Sequence, residues 1–432
     1  MATQTLLTPT LIAKEALRLL KNNLVMGNLV YRGYEKEFPG TPMKGGGAVQ
    51  IRKPVKFNVQ KTRIRTTGFR ITEQYITMQV ATQAHVTWDF FTVDLTLSIQ
   101  QYSERYIRPA AAQLANQVDA DLCGLYKDVY NSIVETTGYV TPYTFAVMGR
   151  SMQKLDEEAA PPDDRVIVFN PAAHWSMANA LSNWNFAQGG EQALRKGYLG
   201  KIANAEIYMD QNIKVHTVGQ YATDTAAATT SRLLVHSTAD SASGGGLPTG
   251  AAVNASQNQN IMIMGVQNDT LGGIKDGDSF KIDGCYAVNP MSGESTGSLR
   301  NFVATANATT PSESTAPADN RIYFYPDMIH TGPYKTVDTI PQLEACVRVY
   351  GNAKRPHPQN LAFHKNAFAL AIVPLEKPDG QWGATETEDG YSIRVVKDYD
   401  IEKDEEIIRM DILYGVHCIY PELAVRIWGQ EA

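Results

Sequence analysis

Gly45-Gly46-Gly47-Ala48-Val49-Gln50-Ile51-Arg52-Lys53-Pro54-Val55-Lys56-Phe57-Asn58-Val59 is the stretch on which the reading of the fold turns. Val49, Ile51, Val55, Phe57 and Val59 fall on one side, and mostly polar or basic residues fall on the other. A period of two is the signature of a strand with one apolar face. Pro54 cannot donate a ladder hydrogen bond, which places the strand at an edge. A second alternating stretch follows, with Ile76, Met78 and Val80, then Val86 and Trp88. The two together predict a long two-stranded arm with a basic tip near Arg63 to Arg70. Two strands alone are marginal in water, so the arm is expected to lie on a neighbour. The three glycines lack the downstream Gly-Lys-Ser/Thr of a phosphate-binding loop and read as a hinge at its base.

The charge around this stretch is one-sided. No acidic residue occurs from Phe38 to Thr72, while Lys44, Arg52, Lys53, Lys56, Lys61, Arg63, Arg65 and Arg70 do. Between Glu376 and Asp411 the sign reverses, with twelve acids against five bases. The whole chain of 432 residues carries a net charge of −6, which weakens the case for a dedicated nucleic-acid binder. The basic stretch has few aromatics and no groove-reading motif. Its better partner is an acidic patch on another copy of the same chain. Complementary charge of this kind sets register and encounter rate more than affinity. Lys53, Lys56, Arg63, Arg65 and Arg70 on one side, and Glu402, Asp404, Glu405 and Glu406 on the other, are the candidate inter-subunit residues.

Outward from the arm, residues 8 to 23 predict a helix, with Thr8 as cap, Pro9 at the first position and Ile12, Ala16, Leu19 and Leu20 on one face. Ile107, Ala111, Leu114, Val118, Leu122, Leu125 and Val129 step by three or four and predict the clearest helix in the chain. Arg165 to Pro171 reads as a buried strand, Pro171 to Asn183 as a helix, and Gly197 to Val215 as a strand pair. From Ala222 to Thr249 the chain is rich in Ala, Thr, Ser and Gly. Short strands with turn signals follow and suggest an all-β module at about residues 219 to 348. Tyr391 to Lys397, Ile407 to Cys418 and Leu423 to Trp428 read as closing strands.

Chemical motifs are weak. The four cysteines are scattered without a CxxC pair, against a disulfide framework or a zinc site. Asp276, Asp278 and Asp283 miss the EF-hand spacing and read as surface turns. His357 and His364 have no further ligands nearby, and His417 beside Cys418 reads as a packed pair. No catalytic residue, metal site or cofactor is expected. Leu11 to Leu20 is broken by charges, and no apolar run reaches the ~20 residues of a membrane span, so no signal peptide and no membrane contact are expected.

The order of elements resembles the major capsid (coat) proteins of tailed bacteriophages. Arg165-Val166-Ile167-Val168-Phe169-Asn170-Pro171-Ala172-Ala173-His174 is similar to their central-domain strand and turn, and Gly197 to Tyr208 to the segment after it. Asn360 to Leu370 resembles the return strand, and Arg409 to Gly415 with Leu423 to Gly429 the closing pair. Gly277-Asp278-Ser279-Phe280-Lys281-Ile282-Asp283-Gly284 resembles a turn and strand of the β-rich insertion carried by the podovirus-type branch. The resemblance implies an α+β fold with an N-terminal arm (1–32), an extended loop or E-loop (33–90), a peripheral domain with a long spine helix (91–160), an axial domain (161–218), an inserted β domain (219–348) and a return to the axial and peripheral domains (349–432). It also implies hexamers and pentamers closing an icosahedral shell. The partners would be a scaffolding protein, a portal protein at one vertex and packaged double-stranded DNA held non-specifically. Assembly would take place in the bacterial cytoplasm. The competing readings are an α/β enzyme with an accessory β domain and another virion structural protein. The first would need a convergent nucleophile–base or metal constellation that the sequence does not show.

Overall fold

The structure is a computed structural model. It describes residues 9–34, 47–57, 61, 63–64, 73–91, 103–135, 141–142, 144–182, 199–220, 232–239, 259–267, 272–310, 321–342, 345–378, 380, 382–400 and 405–429. The predicted Thr8 cap and most of the Ala/Thr/Ser/Gly-rich stretch lie outside these residues.

In chain order the elements are α1 (Pro9–Asn23), α2 (Met26–Leu29), β1 (Gly47–Arg52), β2 (Tyr75–Val80), β3 (Thr82–Phe91), α3 (Arg108–Gly124), β4 (Ser132–Glu135), α4 (Phe145–Glu157), β5 (Arg165–Phe169) and α5 (Pro171–Ser182). Next come β6 (Lys201–Ile202), β7 (Ala205–Met209), β8 (Val215–Thr217), β9 (Arg232–Ala239), β10 (Gln259–Gln267), β11 (Gly272–Ile274), β12 (Ser279–Val288), β13 (Ser295–Ala304), β14 (Ala308–Thr310), β15 (Arg321–Met328) and β16 (Cys346–Val349). The chain closes with β17 (Pro356–Pro358), β18 (Asn360–His364), β19 (Phe368–Val373), β20 (Trp382–Glu388), β21 (Tyr391–Asp400), β22 (Glu405–Cys418) and β23 (Ala424–Gly429). Mixed helices and sheets make the fold α+β.

The chain divides into two compact units. The first comprises Met1–Lys53, Glu73–Cys123 and Phe368–Ile419. Its sheet runs β19-β22-β21-β20, with β3 also on β22. Ile12, Ala13, Ala16, Leu17 and Leu20 of α1 are buried, on the apolar face that their spacing defines. On α3 the buried positions are Ala110, Ala111, Leu114, Ala115, Val118, Asp119, Leu122 and Cys123. Asp119 is there for a reason other than apolarity. Its carboxylate accepts from the backbone N–H groups of Val25 (2.8 Å) and Gly27 (2.9 Å), at the start of α2. Those donors have no partner within the helix, so the carboxylate supplies one. The predicted long helix stops at Gly124, and Leu125–Asp128 tightens into a 3-10 turn.

The second unit comprises Pro54–Thr72, Gly124–Ala367 and Tyr420–Ala432. It holds a six-stranded sheet, β4-β23-β18-β5-β7-β6, and a closed barrel, β10-β15-β13-β12-β16-β9. All five residues of β5 are buried, as the unbroken apolar run requires of a central strand. α5 follows at once. Asn170 caps it, its Oδ1 accepting from the Ala173 N–H at 3.0 Å. Val147, Met148, Leu155, Ile167, Phe169, Ala173, Met177 and Ile207 form the core under α4 and α5. The barrel has its own core, in which Phe280, Phe302 and Phe324 pack ring on ring with centroids 5.3 to 6.2 Å apart. Closure leaves the barrel no open edge.

Candidate functional site

The arm begins as an antiparallel ladder, with Gly47 opposite Val80 and Ile51 opposite Ile76. Lys53 continues it through its N–H to Gln74 O at 2.8 Å, and Arg52 meets Glu73 at 3.2 Å. The structure corrects one expectation about it. Ile51, Met78 and Val80 are all but fully buried, so the root of the arm is supported by its own unit. Gly415 of β22 explains how. A Cβ there would stand 2.3 Å from Gln79 O, so only glycine lets β2 cross so closely. The demand for a covering neighbour falls on the chain beyond Lys53. Lys56 and Arg63 are exposed there, and so are Phe57 (75%) and Ile64 (76%), large apolar side chains left in water.

The acidic segment is also sharpened. Asp411 is fully buried on β22 and is shared by Arg394 (2.6 Å) and Arg409 (2.7 Å). Asp389 and Glu388 hold Lys21 of α1 at 2.5 and 3.5 Å. The hydrogen bond from Lys21 keeps the Asp389 carboxyl below its usual range. These acids are committed within the unit. The far end of the β21–β22 hairpin is different. Its register sets Asp400 directly opposite Glu405 and Tyr399 opposite Glu406. Like charges facing each other across a ladder are destabilising. From Asp398 to Glu406 there are six acids and one base, Lys403. Lys53 and Glu405 are half-buried. Arg65, Arg70, Glu402, Asp404 and the Glu406 side chain lie outside the described residues.

A buried polar seam joins the barrel to the sheet of the second unit, and the sequence reading missed it. Asp278 is no surface turn. It is 1% exposed and accepts from His216 Nε2 (2.8 Å), Lys275 N (2.7 Å) and Gly219 N (3.1 Å). Tyr126 OH sits 3.1 Å from His216 Nδ1. The neighbouring Gly277, at φ +90°, turns its carbonyl to accept from Arg426 Nη1 at 2.7 Å. Burial pulls the fully enclosed Arg426 guanidinium down to about 10, so it stays charged near neutrality. Further along, Ser132 and Ser279 hydroxyls meet at 2.6 Å, and Arg300 bonds Glu158 at 2.6 Å and Tyr130 OH at 3.0 Å. The Asp276-Gly277-Asp278 triplet, a turn signal whose glycine can take φ above zero, was the one local signal available.

Burial pushes the Cys285 thiol up to about 12, far from a nucleophile at neutral pH. Among the described residues no group of three or more His, Cys, Asp and Glu converges as a metal site, and no helix is long and apolar enough to cross a membrane.

The family model described as P22 coat protein, gene protein 5, matches residues 1–429. A major capsid protein of Acyrthosiphon pisum secondary endosymbiont phage 1 is 26% identical over 175 residues. That match takes in 39% of this chain and spans only 41% of the relative's length. Among solved structures, that of Mycobacterium phage Che8 overlays 94% of this chain and 90% of its own at a TM-score of 0.46 and 14% identity. The capsid structure of cyanophage P-SCSP1u overlays 95% of this chain and 89% of its own at 0.43 and 11%. With the family model spanning nearly every residue, the chain belongs to the P22 coat protein family and is of the tailed-phage major capsid type.

Proposed function

We propose that this chain is the shell-forming subunit of its phage, a structural protein and not an enzyme. It assembles as hexamers and pentamers into an icosahedral shell around double-stranded DNA. In this reading the shell forms first as a scaffolded procapsid in the host cytoplasm, with a portal protein at one vertex. DNA is held by non-specific contact. The observation that carries the reading is the arm. Its root is packed and its continuation exposes Phe57 and Ile64 beside Lys56 and Arg63. Exposed apolar side chains beside basic ones on an extended arm fit a surface that a partner covers. The acidic end of the β21–β22 hairpin on a neighbouring copy has the matching sign. The layout of the chain into a peripheral domain, an axial domain and an inserted barrel near residues 219 to 348 belongs to the same proposal.

Charge exchange tests the contact. Reversing Arg63, Arg65 and Arg70 to Glu should reduce the assembled fraction at least tenfold and leave the melting curve of the free subunit unchanged. Adding Glu402, Asp404 and Glu405 to Lys should restore assembly. Undiminished assembly of the arginine triple variant at low salt, where surface charge acts most strongly, would remove the electrostatic contact.

A further inference from the structure

From Val166 to Gly190 the sequence runs 25 residues without one Asp, Glu, Lys or Arg in a chain that is 19% charged. At that composition about five charges would be expected in such a window. Burial accounts for only part of it. β5 is interior, and Ala173, Met177 and Ala178 turn the inner face of α5 into the core. The outer face of α5 is on the surface and is still uncharged. Ala172, Trp175 and Asn179 are exposed there, with Ser176 and Ala180 half-exposed beside them. Trp175 stands 59% exposed, its ring edge-on to His174 with centroids 6.1 Å apart. Met209, 46% exposed, ends the strand next to β5, level with Phe169 and so at the end of the sheet where α5 starts.

We propose that the outer face of α5, centred on Trp175, is a contact between copies of this chain. This rests on the shell-subunit reading and adds a second surface to it, separate from the charged arm. Three physical points select a second copy as the occupant. Copies that each carry −6 repel one another, so they meet most cheaply where a surface bears no charge at all. A single large aromatic ringed by small, uncharged side chains has the anatomy of an interface anchor, with the ring supplying area and its surround excluding water. Every copy carries the patch, so a partner present in few copies would leave most of them with a bare tryptophan, an aggregation liability that only an equally abundant occupant removes.

Hydroxyl-radical footprinting, read residue by residue by mass spectrometry, tests this on the full chain as free subunit and as assembled particle. Trp175 oxidation should fall by about fivefold or more on assembly, as it does for a side chain entering a dry interface core. Trp175→Glu should block assembly while keeping the far-UV spectrum and melting temperature of the free subunit, and Trp175→Phe should assemble. Shells whose Trp175 is as reactive as in the free subunit overturn the proposal and leave the shell reading intact, as do normal shells from Trp175→Glu. Wild-type protein that forms no shells under any condition overturns both.

Discussion

His357 is buried to 0% exposure, and its two ring nitrogens have opposite duties. Nδ1 faces Gly429 O at 3.1 Å and must donate, while Nε2 takes the Asn352 N–H at 3.4 Å and must accept. Only the neutral ring does both. Burial, with the nearby charges of His216 and Arg355, lowers its pKa from 6.5, and the hydrogen bonds only partly offset this. His364 is lowered for the same first reason, burial. The sign follows from proton counts. Below about 6.5 the unfolded histidines bind protons that the folded ones refuse, so stability is full above that value and is lost as pH falls. Each unit of depression is worth about 1.4 kcal/mol. The melting temperature should therefore drop between pH 7.5 and 5.5, with a shallower slope in His357→Gln. An equal slope in that variant would remove His357 from the account. In the sequence no metal-ligand spacing surrounds these histidines. The sequence could not show that one is locked neutral, because Gly429 is 72 residues away.

Elements with a strong period were legible, and joints between elements were not. The alternation at Val49 and Ile51 became β1, and the three-four spacing from Ala111 to Leu122 became α3. The unbroken run at Val166 to Phe169 became a central strand. The helix was expected to continue to Val129, but apolar spacing persists through the 3-10 turn and hides the change of geometry at Gly124. Support for the arm root was hidden too, since it depends on Gly415 admitting β2 from more than three hundred residues away. The seam is the clearest case. Asp276 and Asp278 stand two apart in one turn, yet only Asp278 is drawn inward, by Gly219, Lys275 and His216. Removing its carboxylate leaves buried donors without an acceptor, at about 1–3 kcal/mol for each one stranded. Asp278→Ala should lower unfolding free energy by about 3 kcal/mol or more in urea titration. Asp276→Ala, which loses only the partly exposed pair with Lys127 at 2.7 Å, should cost under about 1 kcal/mol. Equal costs would show that the seam does not hold the barrel.

At the scale of the molecule, the sequence told more about company than about chemistry. Opposed charge segments and a two-stranded arm both describe surfaces, and the proposed function reads them as contacts with other copies. Part of the acidic segment turned out to be paired within the subunit, at Asp411 and Asp389, which narrows the acids open to a partner and leaves Glu376 and Asp398 among the exposed ones. That narrowing depends on which arginines and lysines fold back onto the strands, a matter of register that composition does not record. The central claim is that the chain builds a closed shell from copies of itself. Electron microscopy of the protein expressed with its scaffolding partner, paired with sedimentation of the same sample, tests it most directly. The account predicts closed particles of regular curvature built from hexamers and pentamers. Only monomers or small closed oligomers, at every concentration and ionic strength tried, would contradict it.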